Sequence, residues 1–192
     1  MNYQRRAVAR GGEFTTREDE GKRYIDGYFS VFGAEYQLWD DGIETVDPGA
    51  FDLEADTDVR ALTNHDTTLV LGRTSAGTLF LRQDEHGLFG TIVINDNDQD
   101  AVNLYERVKR GDVSQCSFGF DILDETVEKR GTITVWHLRK VRLWEVSVVT
   151  FPAYEETAVS ARKAEVETIE KRKLENWRSE MNAKLKGANH GT

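Results

Sequence analysis

His65, in the run Ala61-Leu62-Thr63-Asn64-His65-Asp66, and Ser117, in Gln115-Cys116-Ser117-Phe118-Gly119-Phe120, together supply a base and a nucleophile. A serine hydroxyl attacks poorly unless a base takes its proton as the new bond forms. Imidazole suits that task near neutral pH because its ordinary pKa is about 6.5. A third group must orient the ring. Glu145 lies in Leu143-Trp144-Glu145-Val146-Ser147-Val148-Val149-Thr150-Phe151-Pro152-Ala153-Tyr154, a carboxylate in an otherwise apolar strand. A buried carboxylate is costly without a partner. His65 could be that partner through its second ring nitrogen, and Arg142 could be one through a structural salt bridge. His137, between Trp136 and Leu138, competes for the third position because a Ser-His-His arrangement is also chemically sound. Taken together the three residues read as a serine endopeptidase with the chain order His, Ser, Glu.

Taken singly, each residue also has a plainer explanation. On its own segment Ser117 reads first as a strand serine bonded to a neighbouring carbonyl, and His65 as a solvated loop residue. Gly119, two residues beyond the serine, allows close approach of other chain segments. Gln115 stands where a nucleophile elbow would need its first glycine, which excludes the Gly-x-Ser-x-Gly hydrolases. Strand alternation puts Gln115 and Ser117 on one face and Ser114, Cys116 and Phe118 on the other, so Cys116 reads as a small core residue. His86 falls in a hairpin loop and His190 in the tail. Four scattered histidines and one cysteine give no zinc spacing. Asp96-Asn97-Asp98-Gln99-Asp100 opens like a calcium loop but has Ala101 in place of the required glycine and Arg107 in place of the closing glutamate. Those acids read better as helix caps. No phosphate-cradling glycine loop occurs, and no cofactor is expected.

The elements that must hold these side chains follow from periodicity. Residues 1–20 lack it and read as a flexible N-terminal arm; 21–161 read as the protease domain and 162–192 as a charged amphipathic helical tail. Strands are expected at 22–32, 59–63, 78–82, 88–94, 116–123, 132–138 and 141–151. Gly27 marks a bulge or a close backbone approach. Asp47-Pro48 resembles a helix start, and Gln99 to Lys109 has helical spacing closed by Gly111. In the tail, Ile169, Leu174, Trp177, Met181 and Leu185 fall near one seam, suited to partner docking or to packing on the chain's own domain. The pattern is an α+β domain, rich in strands, of barrel or sandwich type. The 192 residues carry a net charge of −9, which argues against nucleic acid and anionic membranes as partners. With a single cysteine, no internal disulfide can form, which suits a reducing compartment.

Several segments in order and spacing resemble the tailed-phage prohead maturation proteases of the Hong Kong 97 type. They are Gly27-Tyr28-Phe29-Ser30-Val31-Phe32 with Asp47-Pro48-Gly49-Ala50-Phe51, Asn64-His65-Asp66, Leu71-Gly72-Arg73, Ser117-Phe118-Gly119-Phe120, and Glu145 through Tyr154. The resemblance covers roughly 22–160. It implies an assemblin-like fold, a β-rich barrel of mostly antiparallel strands surrounded by helices. It implies an endopeptidase inside the immature prohead in the host cytoplasm, which trims the scaffolding segment of the major capsid protein and then cleaves itself. His65 and Ser117 match the family's base and nucleophile by position. Glu145 falls where the third member is expected, with His137 the alternative because assemblins use a second histidine. The major capsid protein and a second copy of the chain are the partners implied, and activation by dimerisation or confinement is a reasonable expectation. A non-enzymatic capsid- or scaffold-binding module is the rival from another class, and an esterase on the same residues is a second.

Overall fold

The computed structural model describes residues 4–8, 14–55, 58–151 and 156–188. It falls into two compact units, Met1–Glu155 and Glu156–Thr192. Among the described residues the first holds eleven strands in two sheets, one α-helix and a 3-10 turn at Thr74–Ala76; the second is a single helix.

The larger sheet is built on a long hairpin, β10 (Gln115–Arg130) and β11 (Ile133–Val149). Its remaining strands are β1 (Gln4–Val8), β4 (Tyr36–Trp39), β5 (Gly42–Val46), β6 (Arg60–Thr63) and β7 (Asp66–Arg73). β1 flanks β10, while the other edge of β11 is shared by two parallel strands. β5 pairs along Thr134–Leu138 and β6 along Glu145–Val148. β4 then adds to β5 and β7 to β6, both antiparallel. The smaller sheet has the order β2-β3-β9-β8, from β2 (Thr15–Asp19), β3 (Lys22–Val31), β8 (Leu79–Gln83) and β9 (Gly87–Val93).

One core joins both sheets. Ile25 and Phe29 of β3 and Leu88 and Ile92 of β9 lie in it with Cys116, Phe118 and Phe120 of β10. Phe118 stacks on Phe120 with ring centroids 4.9 Å apart and meets Phe51 edge-on at 5.6 Å. Helix α1 (Gln99–Arg110) adds Ala101, Leu104, Tyr105 and Val108, four apolar positions on one face. Burying each of its larger members stabilises the fold by about 1.5–3 kcal/mol. The Asp98 side chain accepts from the N–H groups of Asp100 and Ala101, and Gly111 closes the helix at φ 87°. Both ends are as the sequence predicts.

Several expectations need correction. Among the described residues both sheets are open: the smaller ends in β2 and β8, and the larger, branched at β11, ends in β1, β4 and β7, so no barrel closes. Closure requires the last strand to find the first, whereas here β11 spends one edge on two short parallel partners that end in β4 and β7. Asp47-Pro48 starts no helix: Gly49 has φ 83°, Ala50 N–H bonds back to Asp47 O at 3.1 Å, and the chain turns into a bridge from Phe51 to Val141. The two strands expected at 132–138 and 141–151 are one, running through Arg139 and Lys140 with shifts in its pairing to β10. The stretch read as a loose arm contains β1 and the charged edge strand β2. Gly27 is a close approach, since a Cβ there would sit 2.4 Å from Phe14 Cδ1.

The second unit is α2 (Glu156–Ala188), about 50 Å long at 1.5 Å per residue. Of its expected seam, Leu174, Trp177 and Met181 are exposed and Ile169 is half-buried. The side chain of Leu185, like His190, lies outside the described residues. Among the described residues no helix is long and apolar enough to cross a membrane.

Candidate active site

His65 reaches the site through an unusual turn. Thr63 pairs with Asp66, so β6 and β7 form a hairpin whose two loop residues are Asn64 and His65. Both are left-handed, with φ 51° and 59°. That is the geometry of a type I′ turn, which matches strand twist but normally takes Asn-Gly. A non-glycine residue pays about 1–2 kcal/mol to sit there. The surroundings hold it in place. Asn64 N–H donates to Val148 O at 3.0 Å, and Asn64 Oδ1 accepts from Thr150 N–H at 2.8 Å. The turn is thus tied to the end of β11 at two points, and the imidazole projects towards that strand.

On β11 it meets Glu145. His65 Nδ1 lies 2.6 Å from Glu145 Oε1, with the two side chains only 9% and 3% exposed. The second carboxylate oxygen accepts from Ser147 Oγ at 2.5 Å, and Ser147 Oγ in turn accepts from the His65 main-chain N–H at 3.3 Å. Both oxygens of a buried acid are therefore satisfied, which is what makes its burial tolerable. Arg142, the structural alternative, is exposed and lies over the Trp144 ring instead. With Nδ1 turned to the carboxylate, Nε2 is the ring nitrogen left to accept a proton. It is buried, and no group hydrogen-bonds to it among the described residues.

Ser117 stands one strand away. It is the register partner of Ser147, as Gly119 is of Glu145. Directly opposed residues of an antiparallel pair share a face with Cβ atoms about 5 Å apart. Ser117, Ser147 and Glu145 therefore occupy one face of the sheet, opposite to the core face of Cys116, Phe118 and Phe120. Ser117 is fully buried. No hydrogen bond joins it to His65 Nε2 in this conformation; such bonds are often long before substrate binds.

The other sequence candidates lie elsewhere. His137 is ten positions before Ser147 on β11, some 30 Å along an extended strand. It is bound there by Thr45 Oγ1 at 3.0 Å and Glu128 Oε2 at 3.1 Å. His86 is an exposed loop residue whose ring packs edge-on against Tyr28. Cys116 is fully buried, its thiol donates to Phe29 O at 3.6 Å, and burial pushes its pKa up to about 12. It has no thiolate to attack with at neutral pH. Sequence reasoning gave no role to Ser147 or to the Asn64 tether. The signal for Ser147 was its i+2 spacing from Glu145, which in a strand puts both on one face.

A serine, a histidine and a carboxylate on adjoining strands form the constellation of an acyl-transferring hydrolase. Comparison with known proteins places the chain within one class of peptidase. Residues 12–172 match the caudovirus prohead serine protease family, and the chain belongs to it. It is 32% identical over 167 residues to the prohead protease of Enterobacteria phage HK97, covering 82% of this chain and 68% of that protein. No solved structure matches the chain significantly.

Proposed function

We propose that this protein is the serine endopeptidase that matures a tailed-phage prohead, with Ser117 as nucleophile, His65 as general base and Glu145 as the residue that orients His65. The observation that carries this reading is the buried His65–Glu145 pair at 2.6 Å: the other ring nitrogen has no hydrogen-bond partner among the described residues, and Glu145 lies on the strand that pairs with the one bearing Ser117.

Ser117 Oγ attacks the scissile carbonyl while His65 Nε2 takes its proton. The resulting imidazolium is stabilised by the Glu145 carboxylate, itself fixed by Ser147. Backbone N–H groups bind the oxyanion, each commonly worth about 3 kcal/mol. Collapse breaks the C–N bond, and Nε2 returns the proton to the departing amine. Water, deprotonated by the same nitrogen, then attacks the acyl ester; its C–O bond to Ser117 breaks and Nε2 returns the proton to Ser117 Oγ.

The substrates under this reading are the scaffolding segment of the major capsid protein and the protease itself, inside the prohead. The exposed Leu174, Trp177 and Met181 on α2 favour a docking role for the tail, which is also what a non-enzymatic capsid-binding module would use. An intact-mass time course with the major capsid protein of the same phage separates the two. Defined fragments from the unaltered chain, absent with Ser117→Ala and with His65→Ala, are expected. Stable binding to assembled proheads without cleavage would favour the binding module.

A further inference from the structure

β10 is 16 residues long, yet β1 pairs with only five of them. Those five are Cys116 to Phe120, with Ala7 in register with Ser117 and Val8 with Cys116. β11 occupies the other edge of β10 from Gln115 to Arg130. A polypeptide that pairs with the serine segment can therefore come only from the side that β1 now holds. Ser117 is at the same time fully buried, and a nucleophile must be reached by a carbonyl before it can act. Among the described residues β1 is a five-residue edge strand with a single neighbour in the sheet, the kind of pairing that opens most readily. Adding an extended segment to a sheet edge is a general mode of peptide recognition, in which main-chain bonds supply affinity.

We propose that the outer edge of β10 beside Ser117 is the docking edge for an extended peptide segment of another chain, and that β1 is a self-supplied strand that blocks it until displaced. The proposal rests on the protease reading above. It gives the enzyme a built-in delay: a substrate segment must outcompete a strand tethered to the same molecule. Cleavage is therefore favoured where substrate is concentrated, as it is within an assembled shell.

The test is the full-length chain with Arg6 and Ala7 both changed to proline. Successive N–H groups of a strand point to opposite sides, so one of the two substitutions removes a bond to β10. A chain shortened to begin at Arg10 is the second variant. Amide hydrogen exchange at Cys116–Phe120 and the initial rate of capsid-protein cleavage are read for each. Both should rise at least about tenfold over the unaltered chain. A synthetic peptide of residues 2–10, added in excess to either variant, should return both towards the unaltered values. Unchanged exchange and rate, or loss of the folded state in both variants, would overturn the proposal by making β1 an integral part of the sheet. Faster exchange reversed by the peptide, with no cleavage by any chain, would keep the docking edge and remove the protease reading. Cleavage by the unaltered chain that neither variant accelerates would do the reverse.

Discussion

Replacing Glu145 with glutamine tests the least obvious member of the site. Glutamine keeps the shape. Its amide oxygen can accept from His65 Nδ1 and its amide nitrogen can donate to Ser147 Oγ, so the cluster stays bonded while its charge is lost. Nδ1 and Oε1 are 2.6 Å apart, which puts the charge centres of an imidazolium and the carboxylate at about 4 Å. At an effective dielectric near 20 that pair is worth about 4 kcal/mol, and it exists only once His65 has taken the serine proton. The charge thus stabilises the transition state far more than the resting enzyme, and its loss should cost about 10³-fold in kcat/KM. The assay is the initial rate of capsid-protein cleavage by intact mass, with a thermal melt of each chain alongside. Glu145→Ala is the control: it leaves the His65 and Ser147 donors buried without their acceptor and should lower the melting temperature, since each such group costs about 1–3 kcal/mol. A Glu145→Gln chain that melts normally and cleaves within about threefold of the unaltered rate, under 1 kcal/mol, would refute the role given to this carboxylate.

Other consequences follow from the same geometry. Asn64→Ala loses the tether to Thr150 and places a Cβ residue without a local hydrogen bond at φ 51°. It should destabilise by about 1–2 kcal/mol and slow cleavage by releasing the His65 turn, read by urea titration and initial rate. The thiol of Cys116 is raised from 9.0 to about 12 in the folded chain. A raised pKa gives stability that is complete below the unfolded value and is lost as pH climbs towards the folded one, so the urea midpoint should fall between about pH 9 and 12. Part of that fall should vanish in Cys116→Ala, which should still cleave. Asp98→Ala removes the α1 cap and should cost about 1 kcal/mol with no effect on cleavage beyond it, seen as a lower melting temperature.

The parts legible in the sequence were those fixed by local chemistry. The ends of α1 are set by Asp98 and Gly111, and the hairpin of β8 and β9 by a loop of turn-forming residues closed by Gly87. The apolar run around Glu145 marked a central strand with an acid in it, and the structure puts His65 against that acid. What stayed hidden depends on pairing between distant segments. β7 begins Asp66-Thr67-Thr68 with its first three positions exposed, so it shows no alternation to read. β5 is buried throughout, including Glu44 and Thr45, and its polar residues masked it. β2 is an edge strand of charged residues whose order comes from β3. The turn at Asn64-His65 lacks the glycine that would have announced it, and its strain is borne by bonds to β11 some 80 residues away. The open sheets, likewise, follow from two parallel partners on one edge of β11, which no local pattern encodes.

The whole proposed mechanism turns on Ser117 as the nucleophile. An alkyl fluorophosphonate, which forms a stable adduct only with an activated hydroxyl, tests it directly when the labelled residue is mapped by peptide mass spectrometry. One adduct is expected, on Ser117, that blocks cleavage and fails to form in His65→Ala. An adduct on Ser147, whose hydroxyl lies 2.5 Å from the Glu145 carboxylate, or labelling of Ser117 that persists without His65, would contradict it.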